Sequence, residues 1–514
     1  MGTITSGDRR LSTDEFRLRC ARAATGLDRL GVKTGDGVAI CLRNGLAFLE
    51  ASGAVSMLGA FPVALNWHYT EQEARYILED SGAKLLVIHA DLLVGLRPVI
   101  PAGMTVLVVP VPPDVRQAYE LSEDCGQVPQ GLTNWEAWRE GFEPRASAVL
   151  DIPSTIVYTS GTTGRPKGVR RSAMTPEQMA AVGGMLARSF GYQDYLNRPD
   201  EVVTAVVGPM YHTAPNMHAN FSARIGVNVV IVPRFDAEEL LALIQQHRIT
   251  HLNLVPIMLN RLLKLPKVVR ERYDLSSLRF VAHAAAPVSP PIKRAMIEWW
   301  GPVICEYYGS TEIGNVTFCT AEEWLAHPGT VGRAMPGATV RVVDASGAVV
   351  PPRTVGEVVA VNAGFPQFTY HGDAEKRRSV EKDGLIAPGD VGYLDEDGFL
   401  YLCDRATDMM ISGGVNIYPA EIEAELHKMP EVADCAIFGI PDDDFGEAVC
   451  AVVQPQPGVK LTAEDVKSFL RQHVAGYKVP RRVDFNDALP REDSGKIFKR
   501  KLRAAYWEGA GRSI

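Results

Sequence analysis

Residues 158–169 read YTSGTTGRPKGV and gather Thr159, Ser160, Thr162, Thr163, Lys167 and the glycines Gly161, Gly164 and Gly168. Low bulk, several hydroxyls and accessible backbone N–H groups suit such a loop to gripping an anion. Glycine lets the backbone approach a ligand, successive N–H groups form a nest, and a lysine adds full charge. It is not a Walker loop, because Gly168 stands where Ser or Thr must follow the lysine. A plain Gly/Ser/Thr linker has the same composition, so other stretches must decide.

Four of them bear on the question. Residues 306–312, EYYGSTE, carry Tyr307, Tyr308, Gly309, Thr311 and Glu312. An aromatic face suits an adenine ring, and a carboxylate beside hydroxyls suits Mg²⁺ on phosphates. Gly389-Asp390 precedes GYLDEDG, and a carboxylate there can accept from two ribose hydroxyls. Arg405 is followed by Ser412, Gly413 and Gly414, a bare backbone along which a thin ligand could run. In 490–500, PREDSGKIFKR, the turn-forming Ser494-Gly495 would project Lys496, a movable charge for a reacting phosphate. Singly, each is explained as well by a turn or a surface lysine.

These residues need a scaffold. With 514 residues the chain is too long for one core and divides into at least two domains. Hydrophobic residues at 46% and charged residues at 22% are a soluble globular composition. The net charge of −8 argues against nucleic acid and anionic membranes as general partners. No apolar run suits a membrane helix, and the start MGTITSGDRR lacks a secretory core. Met1-Gly2 with Ser6 fits the myristoylation pattern too loosely to count. Eight scattered cysteines without a CxxC pair suit a reducing cytoplasm.

Ser12 and Glu15 form a capping box for an amphipathic helix over 12–30, and Thr70 with Glu73 opens another. Apolar strands at 38–42, 61–65 and 84–88 alternate with helices, and the alternation resumes at 202–207, 227–232, 250–255, 280–282 and 303–307. This predicts parallel βα-layered sheets, with ligands at strand carboxyl ends. From about 340 the strands 340–343, 357–361 and 391–402 follow each other directly, an antiparallel subdomain. Beyond about 404 a small α+β unit follows, ending in a basic segment with only Phe485 and Phe498 interspersed, which favours a solvated face over a nucleic-acid site.

In this order and combination, the motifs resemble the adenylate-forming superfamily, specifically its AMP-forming acyl-CoA synthetases of fatty-acid or aryl-acid CoA ligase type. The resemblance covers nearly the whole chain. Within it, PMYH at 209–212 is similar to the aromatic-site segment, and HAAAP at 283–287 to the adenine turn. It implies an adenylation domain over 1–404, a hinge at 405–408 and a mobile domain over 409–514 that carries the catalytic lysine. It implies ATP, Mg²⁺ and CoA as ligands, and a carboxylic acid as substrate.

Carried over residue by residue, Thr159, Ser160, Gly161, Thr162, Thr163, Gly164 and Lys167 would hold the β- and γ-phosphates. Thr311 and Glu312 would meet the α-phosphate and Mg²⁺. Tyr308 would pack beside adenine, with Ala285, Tyr307 and Gly309 in the same nucleotide site. Asp390 and Arg405 would bind ribose. Lys496 would bridge substrate carboxylate and α-phosphate, and His212 would sit near the carboxylate and thioester tunnel. Ser412, Gly413 and Gly414 would line the pantetheine path. Thr213, Asn216, Met217, His283 and Ala284 join His212 as acyl-pocket candidates by motif adjacency. Their mix favours a large apolar or aromatic acid over acetate.

The chain departs from the family at Asp404 (usually Gly), at hinge position Thr407, at His283-Ala284 (usually Ser-Gly), and in a short lead-in before the first helix. A ligase that loads a carrier protein is the nearest alternative, followed by a luciferase-like oxygenase and a non-enzymatic nucleotide sensor. Oligomeric state is left open, a homodimer included.

Overall fold

Val38 and Ile40 pack on one side of their strand and Ala39 and Cys41 on the other; Leu85 and Val87 are separated in the same way from Leu86 and Ile88. Strands buried on both faces are what a parallel sheet covered by helices requires. The computed structural model describes residues 2–146, 156–159, 167–172, 174–286, 288–370, 374–405, 409–412, 415–442, 445–491 and 497–508.

Among these, one sheet of eight strands runs in the order Phe368–Tyr370, Lys167–Arg171, Ile156–Thr159, Phe61–Ala64, Gly37–Cys41, Leu85–His89, Thr105–Val109, Thr133–Asn134. A second, of nine, runs Arg333–Ala334, Gly314–Cys319, Ile304–Ser310, Phe280–His283, His251–Leu254, Val203–Val206, Asn228–Ile231, Thr3–Ser6, Arg9–Ser12. Both are parallel in their middle and antiparallel at one or both margins. The helices Thr13–Arg29, Leu46–Met57 and Thr213–Ile225 fill the space between them. Helices Ala237–His247, Pro256–Leu263 and Pro290–Trp300 cover the outer face of the second sheet.

The expected change of pattern is present. Strands Ala338–Val343, Gly356–Asn362, Asp390–Leu394 and Leu400–Arg405 pair antiparallel. The last sheet contains Met410–Ser412, Val415–Ile417, Val432–Asp442, Gly446–Pro455 and Arg482–Phe485, with cores of its own around Ile422, Leu426, Val466 and Leu470, and around Phe438 and Leu489. Both predicted capping boxes form, Ser12 with Glu15 and Thr70 with Glu73. The short lead-in is a hairpin, Thr3–Ser6 and Arg9–Ser12, turning at Gly7 with φ 55° and docking parallel to Asn228–Ile231. All eight cysteines are free thiols. Among the described residues no helix is long and apolar enough to cross a membrane.

Helix Leu46–Met57 is apolar nearly all round, yet it buries Glu50 at 1% exposure. Its carboxylate accepts from Arg19 Nε and Arg139 Nη1, each at 2.6 Å, tying the second helix to the first and to helix Trp135–Glu140. Glu50→Gln removes the buried counter-charge of Arg139 and leaves it only the half-exposed Glu140 at 2.8 Å, so a loss of about 2–4 kcal/mol of stability is expected, read as a lower denaturant midpoint at constant slope.

Candidate active site

Strands Val203–Val206, Phe280–His283 and Ile304–Ser310 run in one direction, so the segments after them meet at one edge of the second sheet. His212, Ala285, Thr311 and Glu312 from those segments line a single cavity of 2710 Å³, together with Tyr307, Tyr308, Gly309 and Asp390. Thr213 Oγ1 lies 3.1 Å from Thr311 Oγ1, which joins the PMYH segment to EYYGSTE. The Tyr308 hydroxyl donates to Asp390 Oδ2 at 2.6 Å. Asp390 is in turn the cross-strand partner of Arg405, so the two residues expected at a ribose are neighbours in the ladder. Tyr307 is turned toward the core, its hydroxyl donating to Asn253 at 3.2 Å, and burial raises its pKa.

The Glu312 carboxylate is oriented at both oxygens. Ser310 Oγ donates to Oε2 at 2.8 Å and the Tyr370 hydroxyl to Oε1 at 3.2 Å. Lone pairs remain on both oxygens, and an all-oxygen donor set of this kind fits a hard cation such as Mg²⁺. A bulge between Tyr308 and Gly309 re-aims the chain ahead of this turn. A Cβ at Gly309 would stand 2.0 Å from the Gly314 carbonyl oxygen, so only glycine permits it. In the turn that follows strand Phe280–His283, Ala285 has φ 74°, a left-handed conformation unusual for a residue with a side chain.

Arg171 and Tyr370 are functional neighbours absent from the motif reading. Arg171, 8% exposed, donates through Nη2 to the carbonyls of Thr311 and Glu312, the latter at 3.0 Å, and through Nη1 to that of Pro366 at 2.7 Å. Burial lowers its pKa to about 9, opposed by the Glu312 charge. Strand alternation could have signalled it, since Val169 and Arg171 share a face and Val169 is apolar.

Three expectations change. Lys167 is not in a loop: its backbone opens strand Lys167–Arg171, paired with Thr159. Gly168 faces Tyr158 across this pair, and a Cβ there would lie 2.9 Å from the tyrosine ring, so its smallness serves ring packing. His283 is no pocket wall. It is fully buried, with Nε2 3.5 Å from Glu306, whose carboxylate accepts from Lys293 at 2.5 Å. Burial and Lys293 push the His283 pKa well down, and burial raises that of Glu306. Ala284, by contrast, does line the cavity, with Thr213, Asn216 and Met217.

Ser412 pairs with Val415 and Gly446 in the last sheet and is not among the cavity-lining residues. Ser160, Gly161, Thr162, Thr163, Gly164, Gly413, Gly414, Lys496 and the hinge positions 406–408 lie outside the described residues, and Thr159, Lys167 and Arg405 are described by backbone only. Strands Ile156–Thr159 and Lys167–Arg171 hold the two ends of the glycine loop, and an antiparallel bridge between Arg491 and Ile497 holds those of the SGK segment. Arg491 and Ile497 line the same cavity as Glu312.

The family description "AMP-binding enzyme" matches residues 3–364, and "AMP-binding enzyme C-terminal domain" matches 421–496. Among curated relatives, 3-[(3aS,4S,7aS)-7a-methyl-1,5-dioxo-octahydro-1H-inden-4-yl]propanoyl:CoA ligase of Rhodococcus jostii is 34% identical, over 97% of this chain and 95% of its own. A fatty acid–[acyl-carrier-protein] ligase of Streptomyces coeruleorubidus is 31% identical, over 98% and 93%. The ATP-bound crystal structure of MatB from Rhodopseudomonas palustris superposes with a TM-score of 0.83 at 28% identity, covering 99% of this chain and 97% of that one. The motif order, the layered sheets that bring the described parts of 209–213, 284–286, 306–312 and Asp390 to one cavity, and the match of family descriptions to both parts of the sequence agree: the chain belongs to the AMP-binding enzyme family, as an adenylate-forming enzyme of the acyl-CoA synthetase type.

Proposed function

We propose that the chain is an ATP-dependent carboxylic acid–CoA ligase acting on a medium- or long-chain fatty acid or a bulky aryl or steroid-type acid. The observation that carries this reading is the meeting of Glu312, the Tyr308–Asp390 pair and the His212–Thr213 segment in one cavity. A carboxylate oxygen of the substrate attacks the α-phosphorus of ATP, the bond to the β-phosphate oxygen breaks, and pyrophosphate leaves. The CoA thiolate then attacks the acyl carbon, and AMP departs with the bonding pair.

Each residue group has a task in this scheme. The segment between Thr159 and Lys167 grips the β- and γ-phosphates, and its hydroxyls, with Lys167 at the start of the following strand, position rather than react. Thr311 donates to an α-phosphate oxygen. Glu312 would hold Mg²⁺, which when bound neutralises charge on the phosphates. Lys496 reaches the α-phosphate for the first half-reaction and leaves with the C-terminal domain, about a hinge at 405–408, before the second. Apolar lining residues such as Phe190, Met217 and Phe221 support a bulky acyl group over acetate.

Asp390→Ala removes both the acceptor for a ribose hydroxyl and the partner of Tyr308. A charge-assisted hydrogen bond of this kind supports about a tenfold rise in KM for ATP, with kcat changed much less. An unchanged KM would count against the ribose role. The proposal as a whole is tested by AMP release from ATP with a panel of fatty, aryl, hydroxycinnamic and steroid-side-chain acids, with and without CoA. CoA-dependent release with one class supports it. Acid-dependent pyrophosphate exchange with no CoA-dependent AMP release for any acid of the panel favours the second reading, loading of a carrier protein, the activity named for the Streptomyces relative.

A further inference from the structure

We propose that Arg171 is a positioning residue for the metal–nucleotide end of the site, fixing Thr311 and Glu312 from the strand that leaves the glycine loop. Its guanidinium donates to two consecutive carbonyls, those of Thr311 and Glu312, and to Pro366, while its Cζ lies 4.0 Å from the Phe365 ring centre. Both terminal nitrogens and one face of the group are therefore engaged. The strand opposite completes the clamp. Phe368 pairs with Arg171, and Tyr370, two residues on, donates to the Glu312 carboxylate. One strand pair thus holds the backbone of Glu312 through Arg171 and its side chain through Tyr370.

The backbone of Lys167 belongs to the same strand as Arg171. An amide or aliphatic side chain at 171 cannot supply this fork of donors. The cation is also buried, which strengthens its hydrogen bonds and makes its loss costly to the turn it supports.

The inference rests on the ligase reading only for the reaction it names. Arg171→Gln, Arg171→Lys and Tyr370→Phe are compared with wild type in Mn²⁺ binding in the presence of a non-hydrolysable ATP analogue, followed by electron paramagnetic resonance. ATP–pyrophosphate exchange, thioester formation from pre-made acyl-adenylate and thermal melting complete the set. Arg171→Gln is expected to weaken Mn²⁺–nucleotide binding about tenfold and to slow exchange by at least that factor, with Arg171→Lys between it and wild type. Thioester formation from the adenylate stays within about threefold. Unchanged Mn²⁺–nucleotide binding, or equal loss of both half-reactions tracking the melting temperature, overturns the proposal. Should Arg171→Gln not fold, Tyr370→Phe, which removes one hydroxyl, decides by the same Mn²⁺ measurement. A wild type that binds Mn²⁺–nucleotide but exchanges with no acid removes the ligase reading and leaves the positioning test intact.

Discussion

Lys496→Ala is expected to slow acyl-adenylate formation by about 100- to 1000-fold, the cost of deleting one donor aimed at developing charge. Attack on the α-phosphorus concentrates negative charge between substrate carboxylate and phosphate. A lysine there acts as a compact, movable point charge. Arg491 and Ile497 line the cavity and bracket Lys496 in the chain, which supports the role. Thioester formation from synthetic acyl-adenylate should fall by no more than a few fold, because charge now develops at the acyl carbon. The two half-reactions are measured separately, exchange for the first and CoA consumption for the second. Equal loss of both would remove Lys496 from the first step.

The parallel layers were legible because strand and helix periods differ, and because serine and threonine caps mark helix starts independently of packing. The N-terminal hairpin was readable in principle from its Gly7-Asp8 turn, but TITS and RRLS lack the apolar alternation that marks a half-buried strand. They are strands because an edge of the second sheet is there to receive them. Strand Phe368–Tyr370 is of the same kind. Its partner Lys167–Arg171 lies far away in sequence, and no local propensity records such a pairing.

The site was legible as a set of motifs and less so as a set of directions. His283 illustrates this. Ala282 and Ala284 face the core between the sheets, whereas Val281 belongs to the outer core. Alternation therefore sends His283 to the opposite face of its strand from Ala284, where it is buried beside Glu306 and Lys293. Motif adjacency had grouped it with Ala284, and period-two reasoning would have separated them. Arg171 was missed for the converse reason. A charged residue in a strand is usually a solvated one, and only the carbonyls of a distant turn make it an interior one.

Glu312→Gln is the sharper probe of the metal end. Glutamine keeps the size of the side chain and can still accept from Ser310 or Tyr370, but it carries no charge and offers only one acceptor oxygen. The turn is held by Arg171 through backbone carbonyls and by the glycine-dependent bulge at 308–309, contacts that the substitution leaves in place, although it removes the charge that favours the buried Arg171 cation. A loss of about 1–3 kcal/mol of stability is therefore expected. Adenylation should fall by about 100-fold or more, since a hard cation loses its anionic ligand where charge is greatest. Raising Mg²⁺ should recover part of the rate in Glu312→Gln. The same addition should recover nothing in Lys496→Ala, because that variant lacks a charge at the α-phosphate rather than a ligand for the ion. A Glu312→Gln enzyme with wild-type exchange and an unaltered Mg²⁺ requirement would move the metal role to another residue.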